Sequence, residues 1–208
     1  MNNSDARALS RSLLDICRMR KLTIATAESC TGGLVAAALT EIPGSSDVID
    51  RGFVTYSNNA KRAMLGVKAG TLDSFGAVSK ETATAMAIGA LERADTDLAV
   101  SITGIAGPGG ATPGKPVGLV HFAAAARDGR LIHRECRFGA IGRSSVRQRS
   151  VVEALRMLME LTRGPKPPAK VRRESISRSR PRAARAPTRR ASERRRTAAP
   201  VKPSPKKT

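Results

Sequence analysis

The run from Leu22 to Leu39 does most to limit what this chain can become. A stretch of strand character, Leu22-Thr23-Ile24-Ala25-Thr26, meets a helical run, Leu34-Val35-Ala36-Ala37-Ala38-Leu39, through Ala27-Glu28-Ser29-Cys30-Thr31-Gly32-Gly33. A strand that passes so quickly into a helix reads as a unit of an α/β protein. The connection also carries chemistry. The unpaired N–H groups of a helix's first turn hold about half a positive charge, so a hydroxyl or thiol there is exposed and its anion is stabilised. Ser29, Cys30 and Thr31 all qualify as the acting group.

A second segment has the same form. The apolar strand 97–103 runs into Gly104-Ile105-Ala106-Gly107-Pro108-Gly109-Gly110. Loops at the carboxyl ends of strands in an open α/β sheet converge on the ligand cleft, and glycines let main-chain N–H groups approach an anion. No Gly-Lys-Ser/Thr follows, and the spacing is not that of a dinucleotide fingerprint. A phosphate or ribose contact and a plain tight turn both fit.

The remaining periodicities predict helices over 5–20, 60–65, 80–93 and 144–161 and strands over 48–56, 117–126 and 131–138. In the first helix Ala8, Leu9, Leu13, Leu14, Ile16 and Cys17 form the apolar face. Residues 71–77 read as a short connecting helix or loop. Ser57 and Ser79 are placed as N-caps and Gly66 as a helix stop. Arg127-Asp128-Gly129 predicts a hairpin, which forces an antiparallel pair into the sheet. The expected fold is a three-layer α/β/α sandwich on a mixed central sheet, a single domain over residues 1–164.

Charge sets a boundary at the other end. Of 37 Lys and Arg, 16 lie in residues 165–208, against two acids there. That tail is rich in Pro, Ser, Ala and Arg and poor in large apolar residues, so it is expected to be disordered. Non-specific nucleic-acid contact and a merely solvated extension are both open for it. Three cysteines without a Cys-x-x-Cys spacing point to a reducing, cytoplasmic setting rather than a disulfide framework. No apolar run approaches the ~20 residues of a membrane span, so no leader, membrane anchor or membrane partner is expected.

His121 and His133 fall inside strands, away from any Cys or acid cluster, and no Gly-x-Ser-x-Gly elbow exists. A zinc site and a Ser-His-Asp triad are therefore disfavoured. A serine nucleophile would need another base, and a desolvated lysine can act as one. Lys61 is the best placed in sequence, close to Tyr56 and Ser57. A plain surface lysine is the alternative. Tyr56, the only tyrosine, could bond the lysine or a substrate, or simply pack in its strand.

The motifs Ala27–Gly33, Gly52-Phe53-Val54-Thr55-Tyr56-Ser57-Asn58 with Lys61, Gly76–Ser79, Ser101–Pro108 and Lys115–Gly118 stand in order along the chain. Together they closely resemble the CinA C-terminal domain family over about residues 8–162. The resemblance implies a hydrolase, without metal or cofactor, that converts nicotinamide mononucleotide to nicotinic acid mononucleotide and ammonia. Its nucleophile falls on Ser29, its base on Lys61 and its tyrosine on Tyr56. Arg147 matches an arginine that binds the substrate phosphate or supports the site. Thr31, Gly32, Gly33, Gly104, Ile105, Ala106 and Gly107 match the pocket loops, and a homodimer is implied. Amides at the start of the helix after Ser29 are expected to stabilise the oxyanion, and Cys30, the rival nucleophile, reads as a packed residue. The chain departs from the family at Gly139-Ala140-Ile141-Gly142-Arg143, where Gly-Asp/Asn-Arg is common. Two other readings stay open: a nucleic-acid-associated protein with a weak or inactive domain, and an amidase for another small amide.

Overall fold

A computed structural model describes residues 3–165. The tail expected over residues 165–208, with its nucleic-acid contact, lies outside the described residues apart from Pro165. The elements in order are α1 (Asn3–Arg20), β1 (Ile24–Glu28), α2 (Leu34–Thr40), β2 (Ile49–Val54), α3 (Asn58–Leu65), α4 (Ala69–Phe75), α5 (Lys80–Ala94), β3 (Leu98–Gly104), β4 (Leu119–Ala126), β5 (Leu131–Arg137) and α6 (Arg143–Thr162). The strands form one sheet in the order β2-β1-β3-β4-β5. β1 is parallel to β2 and β3, while β4 is antiparallel to both β3 and β5, so the sheet is mixed as expected.

Side chains alternate by size across the sheet. Ile24, Leu98, Val100, Ile102, Val120 and Phe122 point into the main core beneath α1, α2 and α6. Their neighbours Ala25, Ala27, Ala99, Ala123 and Ala125 face the other way. That second face is alanine-rich because α5 lies close on it, presenting Ala83, Ala87 and Ala90. A Cβ on Gly89 would sit 2.0 Å from the Leu65 carbonyl, so glycine is required where α5 crosses α3.

Several boundaries differ from the sequence reading. β2 ends at Val54, because the chain turns after Thr55 toward the Ser57 cap, so Tyr56 is outside the strand and exposed. The cap itself is as expected: Ser57 Oγ accepts from the Ala60 N–H, and Gly66 closes α3 at φ 72°. Residues 69–75 are helical, making six α-helices among the described residues. Ala8 is exposed, since the face that α1 buries completely is made of Ser10, Leu13, Leu14 and Cys17. No helix among the described residues is long and apolar enough to cross a membrane.

Candidate active site

Ser29 is the first residue after β1, and both sheet neighbours hold it there. The Glu28 carbonyl accepts from the Thr55 N–H at 2.8 Å, and the Ser29 N–H donates to the Ile102 carbonyl at 2.9 Å. The turn that follows needs positive φ at Gly32 (59°) and Gly33 (98°), values a side chain would strain. α2 then begins at Leu34, where the helical run of the sequence starts.

The N–H groups of that helix are not aimed at Ser29. Glu28, fully buried, turns its carboxylate back to accept from Gly33 (2.9 Å), Val35 (3.1 Å) and Ala36 (2.9 Å), with Thr26 Oγ1 at 3.3 Å. Glu28 is thus the cap of α2, a role the sequence reading missed. The signal was available: an acid just before a helix whose N-cap is a glycine.

Lys61 comes from the first turn of α3, yet it is 1% exposed. Its Nζ lies 3.0 Å from Ser29 Oγ and 2.9 Å from the Thr55 carbonyl oxygen. It forms no ion pair with a carboxylate among the described residues. Burial therefore lowers its pKa from the ordinary 10.5. The surface-lysine alternative is ruled out by this burial.

Cys30 beside it behaves oppositely. Burial raises its thiol to about 12, which leaves almost no thiolate at neutral pH. His121 and His133 sit on β4 and β5, with Nδ1 and Nε2 3.1 Å apart, and burial lowers both pKa values. They form a pair of their own and have no hydrogen bond to Ser29 or Lys61.

Two arginines from the first turns of α6 reach the loops. Arg147 Nη2 donates to the Thr31 carbonyl at 2.8 Å, beside Gly32, while its buried Nε has no partner. Arg143 Nη1 donates to the Gly107 carbonyl at 3.1 Å and Nη2 to Tyr56 Oη at 3.0 Å. Tyr56 is thus engaged with an arginine, not with Lys61. Arg143 is the second residue that sequence reasoning did not single out. Ahead of it, Gly142 caps α6 with no side-chain hydrogen bond. In the second loop, the Ile105 N–H and carbonyl bond to Leu119 and Gly118, and Ala106 is packed into the core. A groove of 1160 Å³ opens beyond Arg147, between α1, α2 and α6, and Ser29 and Lys61 do not line it. Among the described residues no three His, Cys, Asp or Glu side chains are grouped as a metal would need.

Residues 6–162 match the CinA C-terminal domain. The chain belongs to that family. It is 48% identical over 161 residues to the nicotinamide-nucleotide amidohydrolase PncC of Escherichia coli K12, covering 77% of this chain and 96% of the relative. A CinA-like protein of Chlorobium phaeovibrioides is 55% identical over 121 residues, 58% of this chain but 28% of that longer protein. Among solved structures, the competence/damage inducible protein CihA of Agrobacterium tumefaciens superposes with a TM-score of 0.75 at 56% identity, covering 76% of this chain and 95% of that one. A CinA superfamily protein of Klebsiella pneumoniae gives 0.73 at 36% identity, covering 78% and 99%. The CinA fold is therefore shared along nearly the whole length of these compact relatives.

Proposed function

We propose that this CinA-family chain hydrolyses the carboxamide of nicotinamide mononucleotide, releasing ammonia, with Ser29 as nucleophile and Lys61 as general base. The observation that carries the reading is the 3.0 Å approach of a buried, carboxylate-free Lys61 amine to Ser29 Oγ. The amidohydrolase name of the E. coli relative supplies the substrate class.

With its pKa lowered, Lys61 offers a neutral amine that takes the Ser29 proton as Oγ attacks the carboxamide carbon. The amine, now protonated, returns the proton to the leaving nitrogen, and ammonia departs. Water then attacks the acyl-enzyme, again through Lys61, freeing the acid and Ser29. The positive pyridinium ring draws electrons from the carboxamide and eases both attacks.

The tetrahedral oxyanion needs preorganised donors. Gly33, Val35 and Ala36 are committed to Glu28, whereas the amide of Thr31 donates to no acceptor among the described residues. That N–H, two residues after Ser29, takes the role expected of the helix start. Arg147, tied to the Thr31 carbonyl, supports the turn that carries Ser29, and the glycine-capped start of α6 suits the substrate phosphate.

Ammonia release from nicotinamide mononucleotide, run beside free nicotinamide, tests the proposal. Activity on the mononucleotide is expected. Activity on free nicotinamide alone, or on neither, overturns it.

A further inference from the structure

The strand order places Ser29, at the end of β1, between the residues that follow β2 and those that follow β3. Neighbouring strands lie about 4.8 Å apart, so these flanks are separated by roughly 10 Å. One guanidinium joins them: Arg143 reaches Gly107 on the β3 side and Tyr56 on the β2 side. The bridge spans the strand end that carries the nucleophile.

Both acceptors are neutral, a carbonyl and a phenol oxygen, and no carboxylate pairs with Arg143 among the described residues. Arg143 is exposed, as is the ring of Tyr56 at 61%. A full positive charge is thus held at the edge of the site by partners weaker than an anion. Hydrogen bonds from guanidinium to phosphate are roughly twice as strong as neutral ones and bind in a two-pronged fashion. Arg147 differs: it is half-buried, tied to Thr31, and contacts neither flank of the bridge.

We propose that Arg143 is the specificity-determining residue that makes this site require an anionic amide. The phosphomonoester of the incoming substrate draws the guanidinium off Tyr56 Oη, and the bridge opens as the substrate binds. A neutral amide offers nothing to displace it and meets the bridge closed. The inference rests on the amidase reading above and adds the charge the substrate must bear.

The test compares kcat/KM for nicotinamide mononucleotide with that for the corresponding riboside, which lacks only the phosphate. Wild type, Arg143→Ala and Arg143→Lys are measured, with circular dichroism to verify folding. The preference for the mononucleotide is expected to fall about 10- to 100-fold in Arg143→Ala, the loss of a charged hydrogen bond. Arg143→Lys is expected to lose most of it as well, because an ammonium cannot bridge and fork as a guanidinium does. An unchanged preference in folded variants overturns the proposal. Should Arg143→Ala not fold, Arg143→Lys and Tyr56→Phe decide: the latter removes one tether, and a mononucleotide KM lowered about threefold is expected, a raised one contrary. If wild type releases ammonia from neither amide, the amidase reading has failed. Calorimetric binding of the mononucleotide then judges Arg143 alone, equal affinity of wild type and Arg143→Ala overturning its role.

Discussion

Glu28 and Lys61 are both buried ionisable side chains at the same end of the sheet, and the fold treats them in opposite ways. Glu28 is surrounded by donors: three main-chain amides and a threonine hydroxyl. Lys61 receives two oxygens and, among the described residues, no opposite charge. A buried polar group that is fully hydrogen-bonded fixes structure, while one denied a counter-ion is driven toward its neutral form. The first residue builds the turn on which Ser29 sits, and the second is left able to take a proton. An acid at the end of β1 and a base in α3 thus divide architecture from chemistry.

The comparison can be broken most sharply on its reactive side. Ser29→Ala and Lys61→Met are each expected to lower kcat by at least ~10³-fold in an ammonia-release assay. Near-wild-type turnover by either would remove the chemistry from this pair. On the architectural side, Glu28→Gln loses acceptor capacity toward the α2 amides. A loss of about 1–3 kcal/mol is expected, seen as a melting temperature lower by roughly 2–4 °C per kcal/mol. An unchanged melting point combined with a rate loss as deep as that of Ser29→Ala would move Glu28 into the chemistry.

The pH dependence sharpens the contrast further. Lys61 acts neutral, so kcat/KM is expected to climb with pH to a midpoint below the ordinary lysine value of 10.5. The sign for stability is the same. Between its folded pKa and 10.5 the unfolded chain holds a proton on Lys61 that the folded chain lacks, so folding gains as pH rises. Chemical denaturation of wild type against Lys61→Met is expected to shift in favour of wild type over that window, and a shift the other way would contradict a desolvated amine. The smallest effect belongs to Cys30. With its thiol at about 12, Cys30→Ala is expected to stay within roughly tenfold of wild type, and the wild-type thiol to alkylate slowly at pH 8.

Much of this was legible in the sequence because it depends on neighbours along the chain. The helices with Ser57 and Ser79 caps, the hairpin at Arg127–Gly129 and the mixed sheet all follow from local pattern. The strand-to-helix connection narrowed the acting group to Ser29, Cys30 or Thr31, and the family resemblance put it on Ser29. What was not legible depends on residues distant in sequence. Glu28 folds its carboxylate forward over residues 33–36, so the amides assigned to an oxyanion were already taken. Tyr56 was read as a neighbour of Lys61, five residues on, but it meets Arg143, 87 residues away. The place of Lys61 in a first helical turn left a base and a surface lysine both open, and only tertiary packing reveals its burial.

The two arginine anchors on α6 end on carbonyl oxygens, those of Thr31 and Gly107. A carbonyl is inherited with the backbone and does not depend on which side chain the gene encodes there. Mutation can therefore rewrite the side chain at Thr31 itself and leave the fastening of its loop intact. Variation in what the pocket accepts becomes separable from variation in how it is held. New amides can thus be explored through the loops, while the fastening depends on Arg143 and Arg147 of α6.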